Sequence, residues 1–134
     1  MNKERKHVGV TQKAIVFKDD GRFLALRRSA SALTHALRWD LPGGELEYEE
    51  DPRRGIEREI LEETGLSVEK LTPFDVFGHT NPGGFWVTIA YLCTATGEKV
   101  RLSGEHDDFR WVTKEDFLTL ESTDKNRQFV LNLK

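Results

Sequence analysis

Cysteine occurs once, at Cys93, in a chain of 134 residues. An internal disulfide is therefore excluded, and the usage fits a reducing compartment such as the cytoplasm. Cys93 falls within an apolar strand pattern, where a thiol packs instead of reacting. No apolar run approaches the ~20 residues that span a bilayer, and the first residues lack the apolar core of a signal peptide. Positive charge is also in short supply. Lys and Arg total 20 against 23 Asp and Glu, a formal net charge of −3, and no segment carries a basic stripe, which argues against nucleic acid as the main partner. The basic cluster in Met1–His7 is short and reads as a solubilising terminus. Proline occurs four times, and each marks a break: before a glycine pair, at a helix start, inside a strand and in a turn. Repeats, low-complexity segments and linkers are missing. The expectation is one soluble, cytoplasmic domain over residues 7–133, with neither membrane nor nucleic acid as partner.

Acidic residues, by contrast, are concentrated. Asp51-Pro52 reads as a helix start, a capping carboxylate followed by the residue suited to the first helical position. Gly65 reads as its stop. The helix between them is about 20 Å long at about 1.5 Å per residue. Glu59, Glu62 and Glu63 lie on one side of it within about one turn, where like charges repel by roughly 0.2–0.5 kcal/mol per pair. They also crowd the negative end of the helix dipole, which costs each acid roughly 0.3–1 kcal/mol. A solvated acidic face would turn all three away from the core. With about 100° per residue, and Ile56, Ile60 and Leu61 defining the apolar side, only Glu62 does so. Glu63 falls about 70° from the apolar centre and Glu59 about 110°. Carboxylates held together at a core margin need a cation. With no Cys or His near them in the sequence, a hard ion such as magnesium fits. Gly43-Gly44 reads as a turn after Pro42, whose bare backbone can approach that ion and offer it a carbonyl.

The segment Gly44 to Leu66, with Glu50, Arg58, Glu59, Glu62, Glu63 and Gly65 at fixed spacings, resembles the signature of the Nudix hydrolases. Every specified position is filled, and seven positions demand one residue type. The resemblance implies an α/β/α sandwich with a mixed central sheet, the helix packed on it. It implies a magnesium-dependent hydrolase (manganese as the substitute ion) of nucleoside diphosphates linked to another moiety. It assigns metal binding to Glu59, Glu62, Glu63 and the Gly43 carbonyl, and support of that cluster to Arg58, Glu50 and Gly44. Two positions depart from the common pattern: Glu49 and Gly55 stand where many members have Gly and Ala. Gly55 costs the helix about 1 kcal/mol relative to Ala and allows close packing.

Around this segment the pattern predicts strands at Val8–Lys18 and Phe23–Arg28, paired as a hairpin through Asp19-Asp20-Gly21. Ser29–Arg38 reads as a loop and Trp39–Leu41 as extended. Val68–Thr80 is a strand interrupted at Pro73, Phe85–Thr96 a long central one, and Phe109–Val112 another. Thr113 caps a short helix at Lys114–Leu118, and Thr123 or Asp124 caps a last helix toward Leu133.

Cleaving a pyrophosphate linkage requires charge neutralisation, an activated water and a base. Glu59 is one candidate base. Glu105, in the Ser103–His106 loop, is the other, since related enzymes often place an additional glutamate there. Arg27 and Arg28 end a strand, and alternation turns only one of them to the site; Arg28 is the choice for substrate phosphate. His35, His79 and His106 read as surface or loop histidines. Trp39, Phe85 and Trp86 are core aromatics by default, with base stacking as the alternative. Asn126 is positioned to read a base edge. The leading substrate is a (d)NTP, an oxidised dNTP above all, released as monophosphate and pyrophosphate by a monomer or homodimer. ADP-ribose or a nucleotide sugar is the alternative, disfavoured because only Pro73 and Pro82 follow the acidic helix. A non-catalytic nucleotide-binding module is disfavoured by the intact set of acids.

Overall fold

The computed structural model describes residues 7–134; the basic cluster expected at Met1–His7 lies, except for His7, outside them. Among the described residues, seven strands form one sheet: β1 (Val8–Phe17), β2 (Phe23–Arg28), β3 (Trp39–Asp40), β4 (Gly43–Glu45), β5 (Val68–Asn81), β6 (Gly84–Ala95) and β7 (His106–Val112). The same described residues form three helices: α1 (Pro52–Thr64), α2 (Lys114–Leu118) and α3 (Asp124–Leu131). The order β3-β2-β1-β6-β5 mixes a parallel β1–β6 pair with antiparallel neighbours. This is the mixed sheet expected.

Alternation along the central strands explains why helices cover both faces. Ala14, Val16, Leu24 and Leu26 point to one face, where they pack with Ile56 and Ile60 of α1. Ile15, Phe23 and Ala25 point to the other, where they meet Phe117 of α2 and Phe129 and Val130 of α3. A sheet buried on both sides needs such continuous apolar runs. Cys93 belongs to the first cluster, and burial pushes its thiol up to about 12. It packs.

Three local expectations need correction. β1 and β2 are joined by the predicted turn, but their register holds only one Cα pair, Phe17 with Phe23. Beyond it β1 takes β4 as its partner while β2 pairs with β3 and β7. The hairpin therefore splays open beyond its turn. Gly43-Gly44 is not a turn but strand β4, antiparallel to β1 with Lys13 opposite Gly43. The strand expected from Phe109 begins three residues earlier, at His106. Elsewhere β5 shifts register around Pro73, β6 is central between β1 and β5, and the Thr113–Asp116 capping box forms. Thr123, not Asp124, caps α3, which ends at Leu131.

Candidate active site

Helix α1 carries the acids, and its two ends set where they stand. Asp51 accepts the Arg54 amide at 3.2 Å, while Gly65 takes φ 74° and returns its N–H to the Leu61 carbonyl. The angular reading holds for the acids. Glu63 is only 5% exposed, the Glu59 side chain 14% and the Glu62 side chain 59%. It fails for Leu61, which is 54% exposed and adds nothing to the core.

Strand β4 runs against this edge of the helix. The Gly43 N–H donates to Glu63 Oε1 at 3.0 Å. Gly43 has φ 152°, and a Cβ there would collide with the Gln12 carbonyl oxygen. At Gly44 a Cβ would stand 2.6 Å from the Glu59 carboxyl carbon. The first glycine is therefore required by the close backbone of β1, and the second by the Glu59 carboxylate. Gly55 serves the same end, since a Cβ would approach Glu50 Oε1 to 2.9 Å and Gln12 Oε1 to 3.0 Å.

Arg58 ties the cluster together. Its Nε and one terminal nitrogen donate to both oxygens of Glu50, at 2.7 and 3.0 Å. Its other terminal nitrogen reaches Glu59 at 3.2 Å and Glu62 at 3.3 Å. The Glu50 contact raises the Arg58 pKa and lowers that of Glu50. Burial, by contrast, raises Glu59 against the pull of Arg58, with Glu62 and Glu105 adding to the rise. Burial likewise pushes Glu63 up to about 8, although Lys13 and the Gly43 amide oppose it and Asp40 and Glu105 reinforce it. Burial and neighbouring acids thus disfavour the charged form of both Glu59 and Glu63, and a cation brought between them would relieve that penalty.

Glu105, in the loop before β7, is brought to this edge: its carboxylate, one of Glu63 and a ring nitrogen of His106 all lie within 4.8 Å of one another. The sequence reading of His106 as a surface or loop residue is thus wrong. It begins β7 and is buried. No histidine is near the acids in the sequence, but the pairing of β7 with β2 brings His106 to them across the chain.

A cleft of about 340 Å³ is lined by Arg28, Trp39, Asp40, Phe77, Lys125 and Asn126 among others, and connects to the acids through Asp40 and not through any of the glutamates themselves. Arg28 faces it, donating from Nε to the Thr34 carbonyl at 2.9 Å, whereas Arg27 pairs with Asp107 at 2.8 Å. Only Trp39 of the three considered aromatics lines it; Phe77 does too and escaped the sequence reading. Asn126 is buried and donates to Asp40 Oδ1 at 2.8 Å, which leaves its own Oδ1 without a partner. His35 and His79 also line the cleft.

Asp40 and Lys13 are the remaining residues that sequence reasoning missed. Asp40 Oδ1 receives Lys13 Nζ at 2.9 Å and its neighbour's amide, Leu41 N–H, at 2.8 Å. Burial would raise the Asp40 pKa, but the Lys13 charge, with the polar side chains of His106 and Asn126 turned toward the carboxylate, holds it well below the usual carboxylate range. A lysine directly ahead of the apolar run Ala14–Val16 was the available signal, because a buried lysine needs a partner.

The donor set fits a divalent ion: clustered carboxylates at a core margin, a glycine-lined backbone edge and a buried imidazole with no partner. The chain belongs to the Nudix hydrolase family, whose NUDIX domain model matches residues 7–133. It is 36% identical over 107 residues to a MutT-like protein of Streptomyces ambofaciens, a match covering 80% of this chain and 65% of that protein's length. It is 26% identical over 114 residues to the nucleoside triphosphatase NudI of Escherichia coli, covering 77% and 81% of the two chains. The structure of a MutT NUDIX hydrolase from Burkholderia pseudomallei superposes with a TM-score of 0.83 at 29% identity, covering 96% of this chain and all of that one. Among the described residues, no helix is long and apolar enough to cross a membrane.

Proposed function

We propose that this chain is a divalent-metal-dependent pyrophosphohydrolase of nucleoside triphosphates that releases the monophosphate and pyrophosphate. Oxidised dNTPs are its preferred substrates, and it acts on free cytoplasmic nucleotides, not on nucleic acid. The observation that carries this reading is that Glu59 and Glu63 stand against the Gly43–Gly44 edge while Glu105 comes up beside Glu63. Relatives named for MutT and for nucleoside triphosphatase activity support the substrate class.

Glu59, Glu62, Glu63 and the Gly43 carbonyl would hold the metal, magnesium with manganese as substitute. When bound, it supplies charge neutralisation on phosphate oxygens and a water of lowered pKa. The chain's own groups do the rest. Arg28 at the cleft binds phosphate oxygens through its guanidinium. Arg58 and Glu50 hold the helix acids in register. A carboxylate takes the proton of the attacking water, from either Glu59 on α1 or Glu105 on the loop. Asn126 and the aromatic walls Trp39 and Phe77 receive the base.

Purified protein with magnesium is assayed against undamaged and oxidised dNTPs, ADP-ribose, nucleotide sugars and dinucleoside polyphosphates. The expected product pair is monophosphate and pyrophosphate from a triphosphate. Glu59→Gln should lower kcat by at least about a hundredfold in a folded protein. No turnover of any substrate would turn the reading toward a binding module. Turnover confined to ADP-ribose or sugars would move it to that branch of the family.

A further inference from the structure

His106 poses a question that the helix acids do not answer. Its side chain is 1% exposed, and neither ring nitrogen has a hydrogen-bond partner. The nearest carboxylate oxygen on its Asp40 side is Oδ2, 4.0 Å from Nε2 and beyond hydrogen-bond reach. Asp40 already takes Lys13, Leu41 N–H and Asn126 on its other oxygen. A buried imidazole with two idle nitrogens is costly unless something else uses one.

What lies within reach is a pair of carboxylates. One nitrogen of His106 and one oxygen each of Glu63 and Glu105 lie within 4.8 Å of one another. Donor atoms about 2.1 Å from a shared ion stand up to about 4.2 Å apart. Glu105 is exposed in its loop, so it is the member free to close that small difference. The remaining charge around the group favours a cation as well, because Glu59 and Asp40 also face these carboxylates. Lys13 and Arg58 are the nearby counter-charges, but each is already engaged, with Asp40 and with Glu50.

Resting on the reading of a metal-dependent hydrolase, we infer that His106 is a metal ligand, forming with Glu63 and Glu105 a nitrogen-containing position in the metal centre. A mixed imidazole–carboxylate set suits borderline ions such as Mn²⁺, Co²⁺ or Zn²⁺ better than Mg²⁺, which prefers oxygen alone. That position thereby accepts manganese, the substitute ion, more readily than an oxygen-only set would. Asp40 beside the ring is the kind of carboxylate that orients a ligating imidazole.

The test is pulsed electron paramagnetic resonance of the full chain loaded with Mn²⁺. The expected result is a directly bonded ¹⁴N coupling that changes to the ¹⁵N pattern when histidine alone is ¹⁵N-labelled, with no substitution made. His106→Gln should abolish the coupling and weaken Mn²⁺ binding by about tenfold or more, while Mg²⁺ binding changes far less. Should that variant not fold, a triple Gln variant of His7, His35 and His79 assigns the coupling: retention supports His106, and loss overturns it. Mn²⁺ bound with oxygen couplings only overturns the inference and leaves the hydrolase reading standing. No Mn²⁺ uptake, with nucleotide present, overturns both.

Discussion

Arg58 grips both carboxylate oxygens of Glu50, at 2.7 and 3.0 Å, across the eight residues that separate loop from helix. The pair closes the loop after β4 onto α1, and the remaining guanidinium nitrogen then reaches Glu59 and Glu62. A planar fork can do this; a point charge cannot. Arg58→Lys should keep the charge, lose the bidentate grip and lower metal affinity by roughly 10–100-fold. Glu50→Gln should act in the same direction, and the double variant should be little worse than either alone. Calorimetric metal titrations of the three proteins check this. Full additivity of the two losses would show that the residues act independently.

The acidic helix was legible because its determinants are local. A cap at Asp51, a proline at Pro52 and a left-handed stop at Gly65 all act within one turn, and rotation alone separated buried Glu63 from exposed Glu62. Rotation misplaced Leu61 because the sheet covers less of the helix than a symmetric apolar face implies. What stayed illegible depends on long-range pairing. His106 reaches the acids only because β7 adds to β2, and Asp40 meets Lys13 and Asn126 from segments far apart in the chain. The splayed hairpin belongs to the same group: nothing between Val8 and Arg28 reveals that β4 will take the place of β2 along β1.

Lys13 and Asp40 are both buried, and their contact of 2.9 Å joins β1 to β3 beneath the cleft. Removing one partner leaves the other charge uncompensated, which typically costs about 3–5 kcal/mol. Asp40→Ala should therefore destabilise strongly, and Lys13→Met with Asp40→Leu together should recover much of the loss. Denaturant unfolding of the two variants measures both outcomes. A single-variant loss below roughly 1 kcal/mol would mean that water reaches the pair.

Glu49 holds φ 62°, in the left-handed region, just before the residue that Arg58 grips. Many family members resemble one another in having glycine here. A non-glycine residue at such an angle costs of order 1–2 kcal/mol, partly offset by the larger freedom that glycine has when unfolded. Glu49→Gly should leave the protein equally stable or stabilise it by up to about 1 kcal/mol. A loss of stability, read from the midpoint of thermal unfolding, would show that the Glu49 side chain makes a contribution of its own.

Glu63 couples metal, proton and stability. In an unfolded chain a glutamate loses its proton near 4.5; in the folded, metal-free protein burial delays that loss to about 8. Between those values the folded state holds a proton that the unfolded state has released. The stabilisation tied to the neutral carboxyl is complete below about pH 4.5 and is lost as pH rises through about 8. At about 1.4 kcal/mol per unit, the loss is on the order of a few kcal/mol. Metal-free protein should thus melt at lower temperature at pH 9 than at pH 6, and Glu63→Gln should flatten that dependence. Metal reverses the sign, because a carboxylate must be ionised to bind it. Metal affinity should rise with pH up to about 8, and binding at pH 6.5 should release about one proton per ion from Glu63. Titrations in two buffers of different ionisation heat count that proton. If the count is zero in the native protein, Glu63 is already charged before the ion arrives, and the desolvated carboxyl is not what the metal displaces.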